Sequence, residues 1–319
     1  MIISKFAINF LRCYKINYVN YLSKSKLMKN YKKIRIGFIG AGALGGSIAI
    51  ALDSLGYNIY KIYSRSVTSS EHLASKLTNS TIANNYQEMS DECDAIFITT
   101  PDKSIKEISE LLVWRENQIV IHCSGVTDLS VFAKPQQEGA FAGSMHPLYP
   151  FSDMDLGSKN LKDVTFGIDG DSKSLEFINV ILSDLDCKPI KVNSDFRALY
   201  HLSGVMAGNL LLGLGSAISD IWEKIGLDKS TGSEALIPMM INSCENILKL
   251  GIPDSMAGPF VRGDVKTIKM HLEALKSSHP DILPLYIELA RTSMRYSIAK
   301  VGEEQSQSKQ IFDLLNNYS

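Results

Sequence analysis

The run Ile34-Arg35-Ile36-Gly37-Phe38-Ile39 is almost wholly apolar and predicts a buried strand, and residues 47–55 behind it read as a helix. Similar short apolar runs recur at 59–63, 95–99, 118–122, 140–144, 164–168 and 189–192, with helical patterns between several of them, notably 103–113 and 172–186. Strands that alternate with helices form a mostly parallel sheet covered on both faces, which is why they need no polar side. From residue 196 onward the strand pattern stops. Residues 196–225 predict one long helix, followed by helices at 233–250, 265–275, 282–301 and 309–315. The expected fold class is therefore α/β: a doubly wound sheet over 34–195, then an all-α domain over 196–319.

Between the first strand and its helix stands Gly40-Ala41-Gly42-Ala43-Leu44-Gly45. Strand, Gly-x-Gly-x-x-Gly, helix is the order that a dinucleotide requires. The first glycine permits the tight turn, the second lets backbone approach a pyrophosphate, and the third lets helix and strand pack closely. The phosphates then meet the free N–H groups of the helix N-terminus, where the macrodipole favours negative charge. This makes the first domain Rossmann-like. The second strand ends at Ser64-Arg65-Ser66, where an NAD-binding chain would carry an acid for the ribose 2′-hydroxyl; the next acid is Glu71. Two hydroxyls around a guanidinium suit a 2′-phosphate, so NADP(H) is the expected cofactor, held by Gly40, Gly42, Ala43, Leu44, Gly45, Ser64, Arg65 and Ser66.

Length and composition fit two ordinary domains: 319 residues, 45% hydrophobic and 21% charged. The net charge of −1 gives no general attraction for nucleic acid or anionic membrane. Residues 1–33 hold eight basic residues and no acid, leaving 25 basic against 34 acidic residues in the rest. We read them as an N-terminal extension outside the fold, because Met28 directly precedes the first strand as a normal start would. Cys13, Cys93, Cys123, Cys187 and Cys244 are odd in number and widely spaced, which points to reduced thiols, a cytoplasmic setting and no zinc ribbon. No spacing of His and Cys typical of a metal site occurs. Residues 202–219 carry no charge, a length at which a membrane span must be weighed. Asn209 and four glycines within it favour a core or dimer-forming helix, and no membrane partner is expected.

Histidines supply the candidate chemistry. His122 and His146 each end or follow a predicted strand, where they would face the crevice. His suits the task because reduction of a carbonyl needs a proton for the nascent alkoxide, and small shifts put imidazole at working pH. His201 stands at the start of the long helix, with Asn209 two turns on. Farther along, Arg262 could grip a carboxylate with its planar fork. Asp264, Thr267 and His271 share one helical face, although Asp264 reads equally well as an N-cap.

Taken together, Gly40 to Gly45, Thr100-Pro101-Asp102, His122-Cys123-Ser124-Gly125, His146-Pro147, Tyr200-His201 with Asn209, and Gly258-Pro259 with Arg262-Gly263-Asp264, Thr267 and His271 resemble the Rossmann-like and DUF2520 family, grouped with NADP oxidoreductases. The resemblance runs from about Ile34 to the last helix. It implies a helical domain like that of 6-phosphogluconate dehydrogenase, a homodimer through the helices, and cofactor contacts at Thr100 and Pro101. His146-Pro147 is similar to the His-Pro segment of prephenate dehydrogenases, and Ser124 to their active-site serine. Ketopantoate reductases and beta-hydroxyacid dehydrogenases instead carry a lysine four residues before the asparagine; here that position is Val205.

The expected function is NADPH-dependent reduction of a small 2-oxo acid, with ketopantoate as the named substrate. His146 or His201 would donate the proton, Arg262 would bind the carboxylate, Ser124 and Asn209 would hold the reacting oxygen, and His271 completes the candidate set. The alternatives are a dehydrogenase of prephenate or imino-acid type, and an NADP-binding regulatory protein without hydride transfer.

Overall fold

The computed structural model describes residues 30–319; most of the expected extension over 1–33 lies outside the described residues. Eight strands form one sheet: β1 (Ile36–Ile39), β2 (Ile59–Tyr63), β3 (Thr81–Ile82), β4 (Ala95–Ile98), β5 (Ile119–His122), β6 (Phe141–Pro147), β7 (Thr165–Gly170) and β8 (Lys188–Lys191). Their order is β3-β2-β1-β4-β5-β6-β7-β8. All neighbours pair in parallel except β6 and β7, which run antiparallel in the register His146 opposite Gly167 and Ser144 opposite Asp169. The helices that accompany them are α1 (Ala43–Ser54), α2 (Val67–Ala74), α3 (Tyr86–Glu92), α4 (Asp102–Leu111), α5 (Ala133–Gln137), α6 (Met154–Lys159) and α7 (Ser172–Asp184).

Alternate strand residues feed two cores. Ile36, Phe38, Ala95, Phe97, Ile119 and Ile121 join one, and Ile39, Ile96, Ile98 and Val120 the other. Both faces are covered, so β1, β4 and β5 are buried at every position, which is why they read as unbroken apolar runs. The edges are made differently. β3 is two residues long and exposed, a length that periodicity does not detect. β8 carries Lys188, Pro189 and Lys191 on an exposed edge, where lysine and proline discourage further pairing.

The long helix expected over 196–225 is interrupted at Gly208, giving α8 (Arg197–Ala207) and α9 (Asn209–Lys224). After them come α10 (Lys229–Leu250), α11 (Pro259–Arg262), α12 (Val265–Ser278), α13 (Leu283–Val301), α14 (Glu303–Ser306) and α15 (Ser308–Asn316). The chain divides into two compact units between Asn209 and Leu210, past the boundary expected near 195. The reason is chemical: Arg197 and Tyr200 hydrogen-bond to Ser124, Ser144 and Gly167, which fastens α8 to the strand ends. The second unit has its own core around Ile268, Leu272, Ile287, Met294, Ile311 and Leu315. Residues 194–224 are long and apolar enough to cross a membrane by length and composition, and only 6% of their most apolar window is buried.

Candidate functional site

Two cavities of the first unit hold the residues that matter. One, of about 210 Å³, lies at the carboxyl ends of β1, β2 and β4 and is lined by Gly40, Gly42, Ser64, Arg65, Ser69 and Thr100 among others. Gly40 has a φ of +111°, and a Cβ there would sit 2.8 Å from the Thr99 carbonyl, so the turn admits only glycine. A Cβ on Gly45 would run into the Thr99 hydroxyl, which itself donates to the Gly40 carbonyl at 2.9 Å. Gly42, by contrast, has open space where a Cβ would stand. It is the N-cap of α1, whose first turn includes Ala43 and Leu44 and offers free N–H groups. The Thr100 hydroxyl is buried without a hydrogen-bond partner at this same cavity, and Pro101 lies beside it at the start of α4. An open glycine cradle, an orphaned hydroxyl and an exposed guanidinium fit a phosphorylated dinucleotide.

Ser66 has a local role in addition. It caps α2, accepting from the Ser69 backbone N–H, and Ser69 rather than Ser66 lines the cavity. Tyr86, whose ring centroid is 4.4 Å from that of Tyr63, forms a further wall. Neither Ser69 nor Tyr86 was expected: Tyr86 comes from a helix that only the fold brings to this edge.

The second cavity, of about 360 Å³, is lined by 146–150 at the end of β6 and by residues of 201–209 in and after α8. It brings His146, His201 and Asn209 together, with Val205 as an apolar wall where related enzymes were expected to carry lysine. The His146 and His201 ring centroids are 5.5 Å apart. Both rings close over Gly125: a Cβ there would lie 2.9 Å from His146 Nε2 and would also strike His201. Asn209 is exposed on the rim.

Tyr200 decides the chemistry of His146. Its hydroxyl donates to the His146 carbonyl at 3.0 Å and accepts the Gly167 N–H at 2.9 Å. One lone pair is left, and His146 Nδ1 lies 3.2 Å away. Giving the single phenolic proton to the nearer partner, the carbonyl, makes Nδ1–H the donor to the phenol oxygen and leaves Nε2 with the bare lone pair. Burial keeps the Tyr200 phenol above its ordinary range, so the proton stays on oxygen. Burial, then the neighbouring His201 and Arg197 charges, push His146 down to about 4. At neutral pH it is an acceptor.

The remaining expected residues have other surroundings. Ser124 is buried; its hydroxyl donates to Thr127 Oγ1 at 2.7 Å and accepts the Thr127 N–H, so it holds a turn and does not line the cavity. His122 is fully buried against Phe132, with Nδ1 accepting the Ser124 N–H and burial pushing it down to about 3. It stands inside the sheet rather than in a crevice. Arg262 is exposed at the end of α11, and His271 lines a separate cavity of the second unit, 3.0 Å from the Tyr286 hydroxyl. Asp264 is the N-cap of α12, accepting from Thr267. Arg197, buried at the start of α8, went unforeseen because a lone arginine before an apolar helix gives no sequence signal.

Residues 35–125 match the family model described as NADP oxidoreductase, coenzyme F420-dependent, and residues 164–293 match DUF2520, a domain of unknown function. The chain pairs an NADP-oxidoreductase module with a DUF2520 domain. The expectation of NADP(H) agrees with that family. Among solved structures, the chain is similar to a candidate NADP oxidoreductase from Bacteroides fragilis: 22% identity, TM-score 0.69, covering 83% of this chain and 99% of that one. It is similar to a protein from Thermotoga maritima at 25% identity and TM-score 0.62, with 84% and 98% covered. A reductive aminase from Aspergillus terreus, solved with NADPH and ethyl levulinate, shares the fold at 12% identity and TM-score 0.64, with 88% and 99% covered. Pyrroline-5-carboxylate reductases and an imine reductase share it as well. No curated protein matches the chain.

Proposed function

We propose that this NADP-dependent oxidoreductase reduces C=N bonds and takes its substrate as a protonated imine. The observation that carries the reading is the Tyr200 hydroxyl set between the His146 carbonyl, the Gly167 N–H and His146 Nδ1, which leaves Nε2, above Gly125, as the acceptor. An iminium N–H donates to that lone pair, whereas a carbonyl oxygen offers it only lone pairs of its own. NADPH, when bound, supplies the hydride to the electrophilic carbon. The iminium nitrogen keeps its proton and gains a lone pair, so the enzyme need donate nothing. A carbonyl would need a proton, and neutral His146, with its one N–H turned to Tyr200, has none to give at Nε2. Solved structures of the same fold that are named for imine or reductive-amination chemistry support the reading.

In this account Gly40, Gly42 and the α1 N-terminus at Ala43, Leu44 and Gly45 hold the pyrophosphate, Ser64, Arg65 and Ser69 the 2′-phosphate, with Ser66 capping α2 beneath them, and Thr100 and Pro101 flank the cofactor. His146 orients the imine, and His201 and Asn209 shape its pocket. The 2-oxo acid reading, ketopantoate included, stays as the second; His201, on the wall of the same cavity, would then give the proton. Among the described residues, three buried thiols and the exposed Cys244 suit a reducing, cytoplasmic setting. A second copy of the chain is the partner we assign to α9 and α10, where Leu212, Ile237 and Leu248 are 70%, 51% and 86% exposed along an apolar groove of about 750 Å³.

The test is NADPH oxidation followed at 340 nm with cyclic imines and 2-oxo acids as separate substrates, and NADP⁺ reduction at the same wavelength with prephenate-type acids. Turnover of imines above all others is expected. Turnover of 2-oxo acids alone overturns the reading, and tight NADPH binding with no turnover would make the chain a regulatory binder.

A further inference from the structure

Arg197 opens α8 and is 2% exposed, more deeply buried than Lys61, the other buried cation among the described residues. One terminal nitrogen donates to the Ser124 carbonyl at 3.2 Å and to Ser144 Oγ at 3.0 Å. The other lies 3.8 Å from the Asp169 carboxylate. These partners follow β5, lie in β6 and lie in β7. Ser144 and Asp169 face each other across the antiparallel pair, and two residues along on the same face stand His146 and Gly167. Three residues along α8, Tyr200 meets that second row through the His146 carbonyl and the Gly167 N–H. Arg197 and Tyr200 thus engage two successive rungs of the ladder from one helical face.

We propose that Arg197 is the positioning residue of this site: by fastening the first turn of α8 to the ends of β5, β6 and β7, it sets Tyr200 against His146 and so fixes which imidazole nitrogen meets the substrate. This rests on the reading of His146 as an acceptor. The ordinary alternative is a bolt that serves stability alone. Such a bolt would have satisfied donors or an apolar side chain, yet Nε and the second terminal nitrogen of Arg197 are buried without a hydrogen-bond acceptor, the latter held only by its longer ion pair with Asp169. The cation also bears on the histidines. Its charge helps hold His146 and His122 neutral, against Asp169 on β7 and Asp128 beyond β5, which favour the charge on Arg197, while His201 on α8 acts on His146 in the same sense as Arg197.

The experiment uses the full chain with ¹⁵N-labelled histidine, reading imidazole tautomers by long-range ¹H–¹⁵N spectra across a pH series, with NADPH affinity as the control for folding. Wild type should show His146 as one tautomer, protonated at Nδ1, down to the region of its titration near 4. Arg197→Met should bind NADPH as wild type does, yet show His146 as a mixture of tautomers with its midpoint raised by about one pH unit. Imine turnover should then fall about tenfold or more in kcat with little change in KM. Arg197→Lys should keep the low midpoint, because charge remains, without restoring the single tautomer, because an ammonium is not a planar fork. A single tautomer and unshifted midpoint in Arg197→Met with NADPH binding intact overturns the proposal. Should that variant fail to fold, Ser144→Ala decides, since it removes one anchor and leaves the charge; an unchanged tautomer there overturns the proposal equally. A wild type that turns over no imine but shows the single tautomer removes the substrate reading and leaves the role of Arg197 standing.

Discussion

Replacing Gly125 by alanine adds one methyl group at the floor of the proposed substrate site. Gly125 does not occupy the left-handed region, so alanine meets no backbone penalty, and the effect comes from contact alone. The new Cβ would lie 2.9 Å from His146 Nε2 and 3.0 Å from its Cδ2, where carbon contacts settle at about 3.5–4.0 Å. The imidazole must therefore retreat by about 0.5–1 Å. His201, struck by the same methyl, must move as well. A displacement of about 1 Å in a positioning group costs about 10²-fold in rate. That corresponds to about 2.7 kcal/mol of transition-state stabilisation. The assay is kcat/KM for a cyclic imine, with NADPH affinity measured by fluorescence on the same preparation. Affinity for NADPH should be unchanged, because the glycine cradle at Gly40 to Gly45 belongs to a different cavity. A Gly125→Ala enzyme within threefold of wild type in kcat/KM would refute the placement of substrate over His146.

Other outcomes follow from the same geometry. Arg65→Asp should raise KM for NADPH by about 10–100-fold, the loss of one or two charge-assisted hydrogen bonds, while NADH is little affected; equal effects on both cofactors would remove Arg65 from the 2′-phosphate site. Acid should destabilise the fold in a defined window. His146 is lowered to about 4 and His122 to about 3, so both are neutral in the native state where the unfolded chain is protonated. Their contribution is fully present above about pH 6.5 and is lost as pH falls through the folded values, at no more than about 1.4 kcal/mol per pH unit for each group. Denaturant melts of His146→Gln should show a shallower decline between pH 6 and 4 than wild type, and an identical slope would count against the buried neutral imidazole. Leu248→Glu, on the exposed face of α10, should yield a monomer by light scattering if a second copy covers that face; an unchanged mass would place the interface elsewhere.

Several parts of this protein were legible from residue order because they depend on local chemistry. β1, β4 and β5 are apolar at almost every position, since both sides of a covered parallel sheet are interior, and the chain records that directly. The Gly40–Gly45 turn is legible through the glycines it needs, although the close approaches that require them are to Thr99 at the end of the neighbouring strand. His146 and His201 could be suspected from their places at element ends. Their protonation could not, because it depends on Tyr200, Gly167 and Arg197 from elements far apart in sequence. The short edge strand β3 and the break at Gly208 also escaped periodicity, the first for its length and the second because glycine is common in an apolar helix.

Sequence alone determined the sheet, its cofactor turn and the preference for a phosphorylated dinucleotide, since apolar period and glycine placement act between near neighbours. Tertiary structure alone decided which side chains share a cavity and what surrounds each imidazole. The physical reason is that a pKa and a tautomer are properties of surroundings. His146 acquires both from burial and from one phenol hydroxyl whose single proton is already committed to its own carbonyl.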